Sequence, residues 1–204
     1  MTKLFSSALR NGLNSWCEKE NVYNASQFGL RDNHGKTDFI FILNSILLNV
    51  IKTSKLYSVY RLRTTLTAFD TVIHETLWIK LMKSGISCKM INMIKSMYPN
   101  LKSCIKNPTD MSYSDFFDVK LGVKQGDPSL PLPVILFIND IKDCLNFPNR
   151  TENDLRLLSV FILLFADDVE LFTTDPESVQ RQLNNIYKYS CKWGLTIIVS
   201  KTKV

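Results

Sequence analysis

The chain has 204 residues, 45% of them hydrophobic, and carries a formal charge of +6 with a sequence pI near 9.0. That is enough apolar material to bury a core, which excludes an intrinsically disordered chain, and the excess of base suits a polyanionic partner without requiring one. Cys17, Cys88, Cys104, Cys144 and Cys191 are odd in number, widely spaced and free of a Cys-x-x-Cys pair, which argues against a disulfide framework or a zinc site.

A first helix is expected over about Leu4 to Lys19. Nothing in this segment combines a basic region, a clean apolar core and a small-residue cleavage site, so the protein is expected to stay inside the cell. Gln27-Phe28-Gly29-Leu30-Arg31 and a polar loop lead into a second helix over Phe39 to Ile51, read as a buried helix. Asn44, Ser45 and Asn49 interrupt it, and it falls short of the ~20 residues a membrane span needs, so no membrane partner is expected. His34 and His74 are too few and too isolated for a histidine metal site and read as surface or capping residues.

From Tyr57 to Leu66 the residues Tyr60, Leu62, Thr64 and Leu66 alternate with Arg61, Arg63 and Thr65, the period of a strand. Leu77, Trp78, Ile79 and Leu81 belong to a helix that Gly85 would end in a left-handed cap. Another helix takes up Met90, Ile91, Met93, Ile94 and Met97 as core residues and stops at Pro99; Leu101 to Ile105 and Phe116 to Val123 read as strands. A helix is expected over Leu132 to Leu145, then a hairpin. After it, Asp175 as N-cap and Pro176 at the first position open a helix with Val179, Leu183, Ile186 and Tyr187 on one face, closed by Gly194. Leu195 to Val199 reads as a last strand.

The hairpin carries Phe165-Ala166-Asp167-Asp168, preceded by an apolar run from Leu157 and followed by Val169-Glu170-Leu171-Phe172. Two adjacent carboxylates between buried strands concentrate negative charge, which is costly unless cations neutralise it, so the pair reads as a divalent-metal site. The plainer alternative is a polar turn.

Five segments in order resemble the reverse transcriptase domain of non-LTR (LINE-type) retrotransposons. Gln27 to Arg31 is similar to a fingers segment of that family, Ala68-Phe69-Asp70-Thr71-Val72 to the end of its first palm motif, and Gly122-Val123-Lys124-Gln125-Gly126-Asp127-Pro128 to the second. Phe165 to Asp168 matches the third, and Trp193-Gly194-Leu195 with Ser200-Lys201-Thr202-Lys203 the fourth. The resemblance implies an α/β (α+β) fold, the palm of a right-hand polymerase with partial fingers, its mainly antiparallel sheet backed by helices. Residues 1–56 would be partial fingers and 57–204 palm with part of the fingers, and the primer grip and thumb into which the family continues beyond Val204 are expected to be absent.

The implied chemistry is RNA-directed DNA synthesis with two Mg²⁺ ions, an RNA template, a DNA primer and deoxynucleoside triphosphates as partners. Asp167 would be a direct metal ligand and Asp168 would orient or share a metal. Phe69 would lie under the sugar, Gln125 and Gly126 beside the incoming nucleotide and templating base, and Lys201 near the triphosphate. Phe69 as core, Gly126-Asp127-Pro128 as an ordinary turn and Lys201 as a solvated lysine are the structural alternatives.

The chain departs from the pattern at one position above all. The family places a metal-binding Asp four residues before the Ala of its Ala-Phe-Asp; here that residue is Thr64, and no Asp or Glu occurs from Phe39 to Phe69. Asp70 reads as a helix cap, not a replacement. Pro128-Ser129-Leu130-Pro131 is rearranged, Pro133 is added and expected to delay the helix start, and Ile198 replaces a polar residue. Arg61 and Arg63 place charge in what should be a buried central strand, which is expected to be displaced. The expectation is therefore a catalytically impaired copy. A non-catalytic nucleic-acid-binding remnant and a genomic remnant without a role are the alternatives.

Overall fold

In the computed structural model, which describes residues 2–52, 60–98, 102–119, 121–123, 129, 131–145, 162–173 and 175–203, the main sheet is built around β5 (Asp168–Thr173). Strand β4 (Ile162–Phe165) pairs antiparallel along one edge of β5 and β1 (Tyr60–Thr65) along the other. Alternation along β4 and β5 sends Ile162, Leu164, Val169 and Leu171 to one face and Leu163, Phe165, Asp168, Glu170 and Phe172 to the other. A second antiparallel pair, β2 (Lys102–Ser103) with β3 (Phe117–Asp118), is much shorter than the apolar runs around it predicted.

The expected central strand is thus not central: β5 is, and β1 flanks it with Arg63 in register with Glu170 and Arg61 with Phe172. The backbone of β1 pairs with β5 over its whole length, so the strand forms in register where displacement was expected. Beyond β1 the chain end runs alongside. Leu66 and Ile197 form an isolated antiparallel bridge, and Ile198 N donates to Thr65 O at 3.0 Å. In place of the last strand expected over Leu195 to Val199 there is this single bridge and a 3₁₀ turn, Val199–Lys201. The ladder stops because β1 ends at Thr65 and a short helix, α3 (Ala68–Thr71), begins at once.

The main core lies on the Val169–Leu171 face. It joins Leu9, Leu13 and Cys17 of α1 (Thr2–Lys19) to Leu77 and Leu81 of α4 (His74–Lys83), Ile91 and Ile94 of α5 (Cys88–Lys95), Leu132 to Phe137 of α6 (Pro131–Phe137) and Val179 and Ile186 of α7 (Pro176–Trp193). Met90, Met93 and Met97 are half-buried and pack against it. The opposite face carries a smaller cluster, in which Phe28 and Ile46 with Phe39, Ile42 and Leu43 of α2 (Lys36–Lys52) meet Leu163, Phe165 and Phe172. Helix α2 is therefore one-sided, not buried: Ile40, Phe41 and Leu48 are exposed, because a single sheet face covers only the stripe at positions 39, 42, 43 and 46.

The terminal signals of two helices form as local chemistry dictates. Asp175 accepts from Ser178 N at 2.7 Å at the start of α7, and Gly194 closes it with φ 70; Gly85 (φ 84) follows α4 in the same way. Tyr187 is exposed, the buried stripe of α7 running instead through Val179, Gln182, Ile186, Tyr189 and Trp193. Pro133 lies inside the first turn of α6 and does not delay it, since the helix already starts at Pro131. The helix expected over Leu132 to Leu145 breaks after Phe137 into a turn and a 3₁₀ segment, Ile141–Cys144.

Long-range polar bonds hold that break. Asn139 Oδ1 accepts from Asn24 N at 2.6 Å and Asn139 Nδ2 donates to Val22 O at 2.7 Å. Asp140 pairs with the ammonium of Lys80, a side chain only 2% exposed, which also donates to the Tyr189 hydroxyl at 2.8 Å and lies 4.0 Å from the Trp193 ring centroid. Burial lowers the Lys80 pKa below the ordinary lysine value, with Asp140 opposing the shift. All five cysteines are free thiols, and among the described residues no helix is long and apolar enough to cross a membrane.

Candidate active site

The β4–β5 hairpin turns through two residues, Ala166 and Asp167, with Phe165 and Asp168 as the last ladder pair. Ala166 sits at φ 54, a left-handed conformation that costs an L-residue energy and persists only when its surroundings hold it. The hold comes from a distant segment. Residues 26–28 run beside β4, with Phe28 N donating to Leu164 O and Leu164 N to Ser26 O, both at 2.9 Å. The carboxamide of Gln27, 1% exposed, then reaches the turn itself: its Oε1 accepts from Ala166 N at 3.0 Å and its Nε2 donates to Ala166 O at 3.2 Å.

The register decides what stands opposite each aspartate. Asp168 pairs with Thr65, whose hydroxyl donates to Asp168 Oδ1 at 2.5 Å. Leu66 N donates to Asp167 O at 3.0 Å, continuing the pairing one step into the turn. Thr64, in register with Val169, is fully buried, and its hydroxyl is 3.0 Å from that of Thr202. Both threonines are neutral, so β1 brings hydroxyls and no carboxylate to the hairpin.

The Asp167 carboxyl is pushed above the ordinary carboxylate range, chiefly by burial, with the charges of Asp168 and Asp70 adding to the shift and a backbone hydrogen bond and the Lys201 ammonium opposing it. The structure thus brings Asp167, Asp168, Asp70 and Lys201 into one field. Asp70 lies in the first turn of α3, whose N-cap is Thr67 and shows no side-chain cap bond. Asp70 thus lies at the start of a helix, as the sequence suggested, with Thr67 in the N-cap position. Lys201 is exposed, in the 3₁₀ turn beside Thr202.

Phe69, half-buried, packs against the main core. Behind it Val123 N donates to Phe69 O at 2.9 Å and Gly122 N to Val72 O at 2.9 Å. Gly122 has φ 74, and a Cβ there would stand 2.7 Å from both the Phe69 and Asp70 carbonyl oxygens, so only glycine permits this approach. His74 Nε2 is 2.8 Å from Gly122 O, which makes His74, at the first position of α4, a half-buried tie to this segment where a surface or capping residue was expected. The segment leads towards Gln125 and Gly126, which lie outside the described residues.

Hard oxygen donors and an unfavourably crowded negative charge fit a divalent cation such as Mg²⁺, whose remaining positions phosphates and water can fill. The fit is incomplete. Among the described residues no group of three or more His, Cys, Asp or Glu side chains is placed to hold one metal ion.

The family model of the reverse transcriptase (RNA-dependent DNA polymerase) matches residues 1–204. The chain belongs to the reverse transcriptase family. Among solved structures the reverse transcriptase domain is similar to the telomerase of Candida tropicalis truncated from its C-terminal domain, at 16% identity and a TM-score of 0.61, covering 96% of this chain and 39% of that one. It is also similar to the telomerase of Candida albicans in complex with a fragment of telomeric RNA, at 13% identity and a TM-score of 0.66, covering 98% and 34%. At these identities the likeness establishes the fold, an antiparallel sheet with helices arranged as in a polymerase palm. The reverse transcriptase domain spans a third to two-fifths of the telomerase chains it matches.

The role of Gln27 and Gly29 at the turn, the bond from Thr65 to Asp168 and the field of Asp70 on Asp167 were not legible from the chain. Gln27 and Ala166 are 139 residues apart, and only the resemblance drew attention to the fingers segment at all.

Proposed function

We propose that this domain comes from a non-LTR retrotransposon and that its inherited reaction is RNA-templated DNA synthesis on a DNA primer from deoxynucleoside triphosphates. In this reading residues 1–56 are partial fingers and 57–204 palm with part of the fingers. The observation that carries it is the Asp167–Asp168 pair at a braced, strained hairpin tip within a chain of this family. Asp167 and Asp168 would hold Mg²⁺, which when bound supplies charge stabilisation to the attacking 3′ oxygen and the departing pyrophosphate. Phe69 would support the sugar, Gln125 and Gly126 the nucleotide and templating base, and Lys201 the triphosphate.

The same site argues for weak activity. Where the family supplies a third carboxylate this chain has Thr64, and loss of such a ligand removes several kcal/mol of positioning and charge compensation, a decrease on the order of 10³-fold or more in rate. Primer extension on an RNA template with Mg²⁺ tests this: incorporation at or near background is expected, and robust extension refutes the impairment. The +6 charge with an incomplete ligand set also favours a second reading, a domain that binds nucleic acid without catalysis. That reading predicts RNA or hybrid-duplex binding that weakens steeply with salt, without any extension.

A further inference from the structure

The geometry points to Gln27 as the positioning residue of the aspartate pair, a side chain that acts on the site by fixing the backbone of Ala166. This rests on the proposal that Asp167 and Asp168 form a metal site. One carboxamide binds both polar groups of Ala166, N at 3.0 Å and O at 3.2 Å, in the manner of an added strand, and its Oε1 also accepts from Gly29 N at 2.9 Å. A backbone in the left-handed region at φ 54 relaxes when nothing holds it, and any rotation there re-aims the Asp167 side chain next in the chain.

The brace is itself supported. Arg31 pairs with Glu18 of α1 through Nε at 3.1 Å and a terminal nitrogen at 2.9 Å, and lies 4.7 Å from the Tyr23 ring centroid. Asn24 is tied to Asn139 at the α6 break. The segment that carries Gln27 is therefore fixed at both sides by α1 and the core, and Gly29 lets it approach the turn within contact distance. The Gln27 carboxamide bonds to the backbone of Ala166 and Gly29, so its effect passes through Ala166. Groups that orient metal ligands in this way typically alter metal affinity 10- to 100-fold when removed.

The test uses Mn²⁺ as probe and amide hydrogen exchange as a readout independent of activity. In Gln27→Met, which keeps an apolar body of similar size, exchange at Ala166 is expected to accelerate about tenfold or more relative to Val169, and Mn²⁺ affinity to fall about tenfold. Ile186→Val in α7, which destabilises without touching the turn, should leave both within about twofold. Values for Gln27→Met within twofold of the parent overturn the proposal. Should Gln27→Met not fold, the parent decides alone: the Gln27 side-chain NH₂ must be protected from exchange, and exchange at the free rate overturns the proposal. Failure of Mn²⁺ to broaden the amides of residues 166–169 in the parent refutes the metal site instead, and exchange at Ala166 still decides the role of Gln27.

Discussion

Gly29→Ala is the most demanding perturbation of the brace. A Cβ at residue 29 would stand 2.2 Å from Ala166 N, 2.9 Å from the Phe165 carbonyl carbon and 3.0 Å from Ala166 Cα, all backbone atoms that cannot swing aside. Ordinary contact begins at 3.4 Å, so segment and turn must part by about 1.2 Å. That displacement stretches the two Gln27 bonds to Ala166 and the Phe28 N to Leu164 O bond, now 2.9 to 3.2 Å, beyond hydrogen-bonding range. At roughly 1 kcal/mol net for each, the expected loss is about 3 kcal/mol, and Mn²⁺ affinity should fall with it. Urea unfolding followed by far-ultraviolet circular dichroism measures the first and a Mn²⁺ titration the second. A loss below about 1 kcal/mol would mean that the approach at Gly29 does not hold the turn, and the reasoning would fail.

The Lys80 cluster predicts an asymmetry. Asp140→Ala strands a buried ammonium and should cost about 3 to 5 kcal/mol in urea unfolding, whereas Lys80→Met leaves Asp140 bonded to the Tyr189 hydroxyl at 2.7 Å and should cost far less; equal losses would contradict the account. Because burial lowers the Lys80 pKa, the folded state gives up that proton more readily than the unfolded chain. The penalty in Asp140→Ala should accordingly shrink as pH rises through the folded lysine value towards the unfolded one. For Asp167 the sign is opposite: its raised pKa means the fold binds this proton more tightly, so stability is lost as pH rises from the ordinary aspartate value through the raised one. Asp167→Asn should therefore raise the urea midpoint at pH 7 without metal and abolish the increase that Mg²⁺ gives the parent; a lower midpoint would contradict the assignment.

What could be read in the chain was local. The Asp175 cap, Pro176 and Gly194 mark α7 to within a residue, and Gly85 marks the end of α4, because each signal acts within one helical turn. The hairpin around Ala166-Asp167 was legible for the same reason. Where partners come from far along the chain, the reading failed. An apolar helix such as α2 does not say how many faces its neighbours cover, and the break after Phe137 is made by Asn139 and Asp140 meeting residues of α1's following loop and α4. Arg61 and Arg63 argued against a strand that the backbone ladder with β5 nevertheless forms, because pairing of main-chain groups is not written in side-chain charge. The placing of Asp167 and Asp168 at a hairpin was legible, and so was the absence of a carboxylate at Thr64. Which hydroxyl meets which carboxylate is a matter of register, and it is Thr65 that meets Asp168.

We propose that Asp167 and Asp168 are part of a polymerase site in which Thr64 stands where the family has a further carboxylate. RNA-templated primer extension with Mg²⁺ by the parent and by Thr64→Asp, each shown to be folded by circular dichroism, tests it most directly. Near-background extension by the parent, a gain approaching 10³-fold in Thr64→Asp, and loss of that gain when Asp167→Asn is added are expected. Robust extension by the parent, or a folded Thr64→Asp variant that gains nothing, would contradict it.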